Sequence, residues 1–141
     1  MRVKKVNRYY CDHCNKSGCA AGHMKKHEKH CTMNPDRECR MCKLLDVEQV
    51  PMAEMLSVLP DPEKFIDGIL GDKHSEEQAV RAYEKLNEAV EQATEKLRVT
   101  TNNCPTCILA ALRQKNLTKW GYFFDYRAEA ESAMKRADDS D

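Results

Sequence analysis

The stretch that decides the fold is residues 11–42, CDHCNKSGCAAGHMKKHEKHCTMNPDRECRMC, which holds six of the eight cysteines and four of the five histidines. Within it, two residues separate Cys11 from Cys14, twelve more lead to His27, and three separate His27 from Cys31. Zinc sites have this pattern because a tight turn presents two thiolates and a helix presents two further ligands one turn apart. The stretch therefore predicts a zinc site formed by Cys11, Cys14, His27 and Cys31.

Other side chains in the stretch leave alternatives open for the ligand set. His30 competes with Cys31 for the fourth position if the end of the helix unwinds. His23 precedes His27 by one helical turn and Cys19 lies nearby. These two are either part of a second ligand set or free, and we expect them to be free.

Residues 9–31 resemble a single Cys2His2 zinc finger in its Cys2HisCys variant. Tyr9 stands where that family has an aromatic residue, and Met24 stands where it has a core leucine. Gly18 occupies the position of a buried phenylalanine, and Cys19 and Tyr10 are the candidates to replace that side chain. The resemblance implies a β-hairpin followed by a helix.

A looser resemblance covers residues 23–42, HM-x2-HE-x2-C-x2-NP-x-R-x-C-x2-C, which are similar to small uncharacterised zinc-finger proteins of bacteriophages. That resemblance implies no known activity. If the chain is encoded by a phage, it implies the host cytoplasm as its location.

Two further cysteine pairs have a two-residue gap: Cys39 with Cys42, and Cys104 with Cys107. Two such pairs form the usual four-thiolate structural zinc site. The 61 residues between the pairs contain three predicted helices that can return the chain to its starting point. Pro105 fits the first position of a helix, and the positive end of a helix favours thiolates. We therefore expect a second zinc ion here, and two in all.

The formal net charge of zero conceals a split between the two parts of the chain. Residues 1–43 contain eleven Lys or Arg against four Asp or Glu, whereas residues 44–141 contain twelve against nineteen. We interpret the first part as a basic zinc-finger module and the second as an acidic helical region. A lone finger covers about three base pairs, so sequence-tolerant contacts to phosphates are favoured over sequence reading. The residues expected to bind nucleic acid are Arg2, Lys4, Lys5, Arg8, His23, Lys25, Lys26 and Lys29.

The fold class expected is mainly α with a small β-hairpin. Apolar spacing predicts short helices from Met52 to Leu59 and from Pro62 to Leu70. Longer helices are predicted from Ser75 to about Arg98 and from Cys104 to Lys115, with a last charged helix ending near Ala137. An apolar stripe on the third of these helices either packs within the chain or forms the seam of a homodimer. It consists of Ala79, Tyr83, Leu86, Val90, Ala93 and Leu97.

We expect no enzymatic activity, because no nucleophile and base stand out and both zinc sites have four protein ligands. Cys104-Pro-Thr-Cys107 resembles a thioredoxin-type redox motif, but it follows a polar Thr-Thr-Asn-Asn segment instead of a buried strand. His74-Ser-Glu76 followed by the same cysteines resembles a zinc nucleoside deaminase. That interpretation requires a central sheet and leaves Cys39 and Cys42 without partners.

No apolar run has transmembrane length, and the basic residues of Met1 to Tyr10 are followed by no hydrophobic segment. We therefore expect a cytoplasmic protein whose cysteines are thiolate ligands, because a reducing compartment disfavours disulfides. Its partner is expected to be nucleic acid. The alternative is a protein-binding adaptor that uses the acidic helices or the aromatic tail of residues 120–126.

Overall fold

A computed structural model describes residues 1–66, 76–118 and 124–139. Within them, a two-stranded antiparallel hairpin is followed by seven helices, which confirms the mainly α class. The elements are β1 (Tyr9–Tyr10), β2 (Ser17–Gly18), α1 (Ala21–His30), α2 (Arg40–Leu45), α3 (Met52–Val58), α4 (Pro62–Ile66), α5 (Glu76–Thr100), α6 (Pro105–Gln114) and α7 (Tyr126–Asp139).

The hairpin and α1 form a ββα unit, as the resemblance to a zinc finger implies. β1 and β2 pair in the register Tyr9 with Gly18 and Tyr10 with Ser17. The side chain of Tyr10 is 64% exposed and Cys19 is also exposed, so neither replaces the family's buried phenylalanine. A Cβ atom added at Gly18 would meet nothing within 4 Å. The apolar interior of this unit is therefore small.

The two cysteine pairs each lie at the start of a helix. Cys39-Arg-Met-Cys42 begins α2, a helix of six residues with Cys39 at its N-cap. The Cys42 N–H donates to the Cys39 sulfur at 3.3 Å, which caps this helix. α2 ends at Leu45, and Asp46 at its C-cap has a left-handed φ of 57°. The boundary that the sequence predicts between the zinc-finger module and the acidic helical region, after residue 43, falls inside α2.

A tight turn between α5 and α6 brings the second cysteine pair back to the first. Asn102 and Asn103 adopt φ values of 54° and 62°, a left-handed conformation that asparagine tolerates better than most residues. Thr101 is buried and its hydroxyl donates to the carbonyl of Leu97 at 2.7 Å. The turn places Cys104 at the cap of α6 and Pro105 at its first position, as predicted.

The main core lies between α5 and the shorter helices. α5 packs against α3, α4 and α6, while α7 packs against α2 and α6. From Leu86 on, all four residues of the predicted apolar stripe are buried, whereas Ala79 and Tyr83 are half-buried. The stripe therefore packs within the chain, which is the first of the two alternatives for it.

Several sequence predictions fall on other parts of the chain. The continuation of α4 to Leu70, the predicted helix start at Ser75, and His74 lie outside the described residues. α3 begins at Met52 and ends before Leu59, because Pro60 disfavours a helical conformation in the residue that precedes it.

Candidate metal centres

The first metal centre, which we call the Cys3His cluster, consists of Cys11, Cys14, His27 and Cys31. Their ligand atoms all lie within 4.8 Å of one another. The hairpin supplies the first two residues, α1 supplies His27, and Cys31 follows directly after α1. The Nε2 atom of His27 lies 3.2 Å from the Cys14 sulfur. Ligands at about 2.0 to 2.3 Å from a tetrahedral zinc ion are about 3.3 to 3.8 Å apart, so the cluster fits Zn²⁺.

The backbone of the hairpin favours charged sulfurs in this cluster. The N–H of His13 donates to the Cys11 sulfur at 3.4 Å, and that of Lys16 donates to the Cys14 sulfur at 3.5 Å. Burial would raise the pKa of Cys14, but the hydrogen bond from Lys16 helps to lower that pKa below its usual value.

The two ligands from the helix side respond to burial in opposite directions. Burial lowers the pKa of His27 and so favours the neutral imidazole that binds metal. Burial raises the pKa of Cys31 to about 11. Zinc must therefore displace the Cys31 proton at neutral pH, and the apparent affinity should depend on pH.

The structure distinguishes between the ligand alternatives for this cluster. Cys31 belongs to it, whereas the Nδ1 atom of His30 lies 2.9 Å from the carbonyl oxygen of Glu38. His23 and Cys19 are exposed and belong to neither metal cluster found among the described residues. The four predicted ligands thus lie together, and His30, His23 and Cys19 are not among them.

The second centre, the four-cysteine cluster, consists of Cys39, Cys42, Cys104 and Cys107, with all four sulfurs within 4.8 Å of one another. The Cys39 and Cys104 sulfurs are 3.5 Å apart, and those of Cys42 and Cys107 are 3.4 Å apart. All four residues are at most 2% exposed and belong to the main core. This is the predicted four-thiolate arrangement, and its donor set fits Zn²⁺. The two clusters together provide sites for two zinc ions.

Hydrogen bonds among the sulfurs of the four-cysteine cluster shift the pKa values of its thiols in opposite directions. The hydrogen bond with Cys104 holds the pKa of Cys39 well below its usual range. The hydrogen bond with the same residue raises the pKa of Cys107 well above the usual range, and burial adds to that effect. A divalent cation that binds all four sulfurs as thiolates displaces the protons of those that are still thiols.

A buried cation that the sequence did not reveal, Arg37, lies beside the four-cysteine cluster. Its side chain is 4% exposed, and its Nη1 atom donates to the Cys107 sulfur at 3.9 Å. Its Nε atom has no hydrogen-bond partner among the described residues. Zn²⁺ neutralises only two of the four thiolate charges, so the occupied centre carries a net charge of −2. The buried guanidinium of Arg37 offsets part of this remaining negative charge.

Gln49 holds Arg37 and Cys39 in position. Its Nε2 atom donates to the Arg37 carbonyl at 2.6 Å, and its Oε1 atom accepts from the Cys39 N–H at 2.7 Å. No sequence signal indicates either Arg37 or Gln49, because neither belongs to a ligand motif.

The predicted nucleic-acid-binding residues are all exposed. Arg2, Lys4 and Lys5 precede the hairpin, and the Nε atom of Arg8 donates to the Ser17 hydroxyl at 3.1 Å. His23, Lys25 and Lys26 lie on α1. Lys29 differs from the others because its Nζ atom lies 3.3 Å from a carboxylate oxygen of Glu38.

The two enzyme alternatives depend on Cys104 and Cys107, which the four-cysteine cluster contains. Glu76 is the exposed first residue of α5. In the described part of the chain the sheet is limited to the two-stranded hairpin, so the central sheet of a deaminase is not found there.

No protein-family model matches this chain, and no curated protein or solved structure matches it either. The resemblances to Cys2His2 fingers and to phage proteins therefore stay predictions. Among the described residues, no helix is both long enough and apolar enough to cross a membrane.

Proposed function

We propose that this chain is a small zinc-stabilised protein that binds nucleic acid through phosphate contacts, without reading its sequence and without catalysing a reaction. The observation that carries the proposal is the charge split. Eleven Lys or Arg lie in the first 43 residues against four Asp or Glu, and the cations before the hairpin are exposed. Clustered exposed cations attract a phosphate backbone and release its counterions.

The metal centres support a non-enzymatic role. Each cluster offers four protein ligands, and a tetrahedral zinc ion with four protein ligands has no open position for water or substrate. Zinc then contributes folding energy to the ββα unit, whose buried interior consists of Cys11, Met24 and Cys31.

The exposed Tyr10 supports single-stranded nucleic acid over duplex. It follows Arg8 by two residues and pairs with Ser17 in the hairpin. Proteins that bind single strands without sequence preference combine basic surfaces with aromatic side chains on which bases stack.

Fluorescence anisotropy of labelled single-stranded and duplex oligonucleotides of two unrelated sequences tests the proposal. We expect similar affinities for the two sequences and a log–log salt dependence with a slope of about −0.7 for each single-strand phosphate contacted. A triple variant, Arg2→Gln with Lys4→Gln and Lys5→Gln, should bind more weakly and with a shallower slope. Failure of the zinc-loaded protein to bind any oligonucleotide at low salt would refute the proposal.

A second candidate is a protein-binding adaptor, which the acidic surface of α5 favours. A basic partner protein would complement this surface, whereas nucleic acid would be repelled by it. A pull-down that recovers one partner after nuclease treatment, and loses it when three of these glutamates are changed to glutamine, would support the adaptor. The exposed glutamates are Glu76, Glu77, Glu84, Glu88, Glu91 and Glu95.

A further inference from the structure

A concave basic surface lies beside the Cys3His cluster and is lined by residues of α1, of the start of α2 and of the end of α6. The cavity has a volume of about 550 Å³. Of the nine residues that line it, all of them in the described part of the chain, four are Lys or Arg, three are His and none is acidic. We call this cavity the basic cleft. Its Lys and Arg residues are Lys16, Lys26, Arg40 and Arg113, and His23 and His30 also line it.

The basic cleft is assembled from distant parts of the chain. Lys16 comes from the hairpin, Lys26 from α1, Arg40 from the first position of α2 and Arg113 from the last turn of α6. A zinc finger alone would supply only the first two of these cations. The cleft therefore depends on how the segment after α1 is bonded to α6, which sets the ββα unit beside that helix.

Hydrogen bonds hold α6 against the segment that follows α1. The side-chain nitrogen of Gln114 donates to the carbonyls of Thr32 and Asn34 at 2.8 and 3.2 Å. Arg113 donates through Nη1 to the Thr32 hydroxyl at 2.9 Å. These contacts fix one wall of the cleft relative to the other.

The cations of the cleft lack the acidic partners that other cations in this protein have. Lys29 and Lys43 both lie within ion-pair distance of Glu38, and Arg98 pairs with Glu129 at 2.7 Å. In the described ranges of the chain, no ion pair involves a Lys or Arg of the cleft. Zinc and three thiolates in the neighbouring Cys3His cluster carry a net charge of −1, which offsets only one of four positive charges. An anion would relieve the remaining repulsion.

A second groove of about 580 Å³ adjoins the basic cleft and shares Lys16 and Arg113 with it. It continues past His13 and Asn15 on the hairpin. The two concavities together form a track over the Cys3His cluster, and a concave basic track suits a flexible strand better than the convex surface of a duplex.

We infer that the basic cleft is a binding site for the phosphates of a single-stranded nucleic acid, held jointly by the ββα unit and by Arg40 and Arg113 of the helical region. This inference rests on the proposed function and names the site that performs it. The guanidinium groups present paired N–H donors to phosphate oxygens, and the lysines add point charges.

The test uses the full zinc-loaded chain and two variants with the same change in net charge. The cleft variant carries Lys16→Gln and Lys26→Gln, two exposed residues of the cleft. The control carries Lys96→Gln and Lys135→Gln, which change exposed residues of α5 and α7. Zinc content and circular dichroism establish that both variants are folded. Each protein is titrated against a labelled oligothymidylate at several salt concentrations, and against inorganic tripolyphosphate by calorimetry.

We expect the cleft variant to bind the oligonucleotide at least tenfold more weakly than wild type, with a salt slope shallower by about 1.4 for two lost contacts, while the control stays within twofold. A further variant, Arg113→Gln, should weaken binding in the same way. If wild type binds the strand and the cleft variant matches the control, the cleft is refuted and the proposed function stands.

The tripolyphosphate titration separates the two proposals if wild type binds no oligonucleotide. Tripolyphosphate binding that the cleft variant loses and the control keeps would support a phosphate site while refuting nucleic-acid binding. No binding of either ligand by wild type would overturn both.

Discussion

Replacement of Arg37 by methionine tests the idea that this buried guanidinium stabilises a doubly negative zinc centre. Methionine keeps a flexible, unbranched apolar stem that fills part of the space of the arginine side chain, and it removes the charge. The Arg37 Nη1 atom lies 3.9 Å from the Cys107 sulfur, and the side chain is almost fully buried. Arg37→Met should therefore weaken zinc binding by the four-cysteine cluster and leave the Cys3His cluster unchanged.

The size of the effect follows from two opposing contributions. Unit charges 3.9 Å apart attract by about 4 kcal/mol at an effective dielectric constant of about 20. Methionine removes the cost of burying the guanidinium, which offsets part of that loss. Residues that support metal ligands typically change affinity by 10- to 100-fold, or about 1.4 to 2.8 kcal/mol, and we expect a loss in that range.

Competition with a chromogenic zinc chelator measures the two sites separately, because they should release zinc in two phases. Cys107→Ser identifies the phase that belongs to the four-cysteine cluster. Arg127→Met is the matched control, since Arg127 is an exposed residue of α7. Unchanged release of both zinc ions from Arg37→Met would refute the counter-charge argument. Equal acceleration of both phases would also refute it, because it would indicate a general loss of structure.

Three further predictions concern the metal centres. Cys107→Ser should reduce the zinc content from two ions to about one, which elemental analysis measures. It should also destabilise the helical region by roughly 4 kcal/mol, the loop-closure entropy between the two cysteine pairs, which urea denaturation measures. Replacement of the exposed Cys19 by serine should change neither the zinc content nor the stability. Cys31→Ser should lose the zinc of the Cys3His cluster, whereas His30→Ala should keep it. The spectrum of the cobalt-substituted protein reports thiolate ligands and so measures this. The opposite behaviour of the two variants would contradict the assignment of Cys31 as the fourth ligand. Because burial raises the pKa of Cys31 to about 11, zinc binding by the Cys3His cluster should release protons at pH 7, and the apparent zinc affinity should rise with pH. Calorimetry in buffers of different ionisation enthalpy measures the proton release. A zinc affinity that is independent of pH would contradict the prediction.

Both ligand sets could be predicted from the sequence because cysteine spacing carries local geometry. A two-residue gap between cysteines matches a tight turn or the first turn of a helix, and His27 with Cys31 are one helical turn apart. The long-range pairing was predicted because two such pairs form the usual four-thiolate site and because the three helices predicted between them can return the chain to its starting point.

The surroundings of the clusters could not be predicted in the same way. Arginine is normally a surface residue, so nothing in the sequence distinguishes the buried Arg37 from its neighbours. α2 is too short to show a helical period. Arg40 and Arg113 reach one cleft only through the tertiary arrangement of α2, α6 and the segment after α1, which no local pattern encodes.

The two zinc sites stabilise different parts of the protein. The Cys3His cluster has few buried neighbours, Met24 among them, so zinc supplies most of the cohesion of the ββα unit. The four-cysteine cluster instead lies within the main core and joins the start of α2 to the start of α6. Loss of the first zinc should therefore unfold the wall of the basic cleft that carries Lys16 and Lys26. Loss of the second should separate the helices that carry Arg40 and Arg113 while the ββα unit keeps its own metal. A cleft built from both parts needs both ions, so phosphate binding should fall when either cluster is emptied.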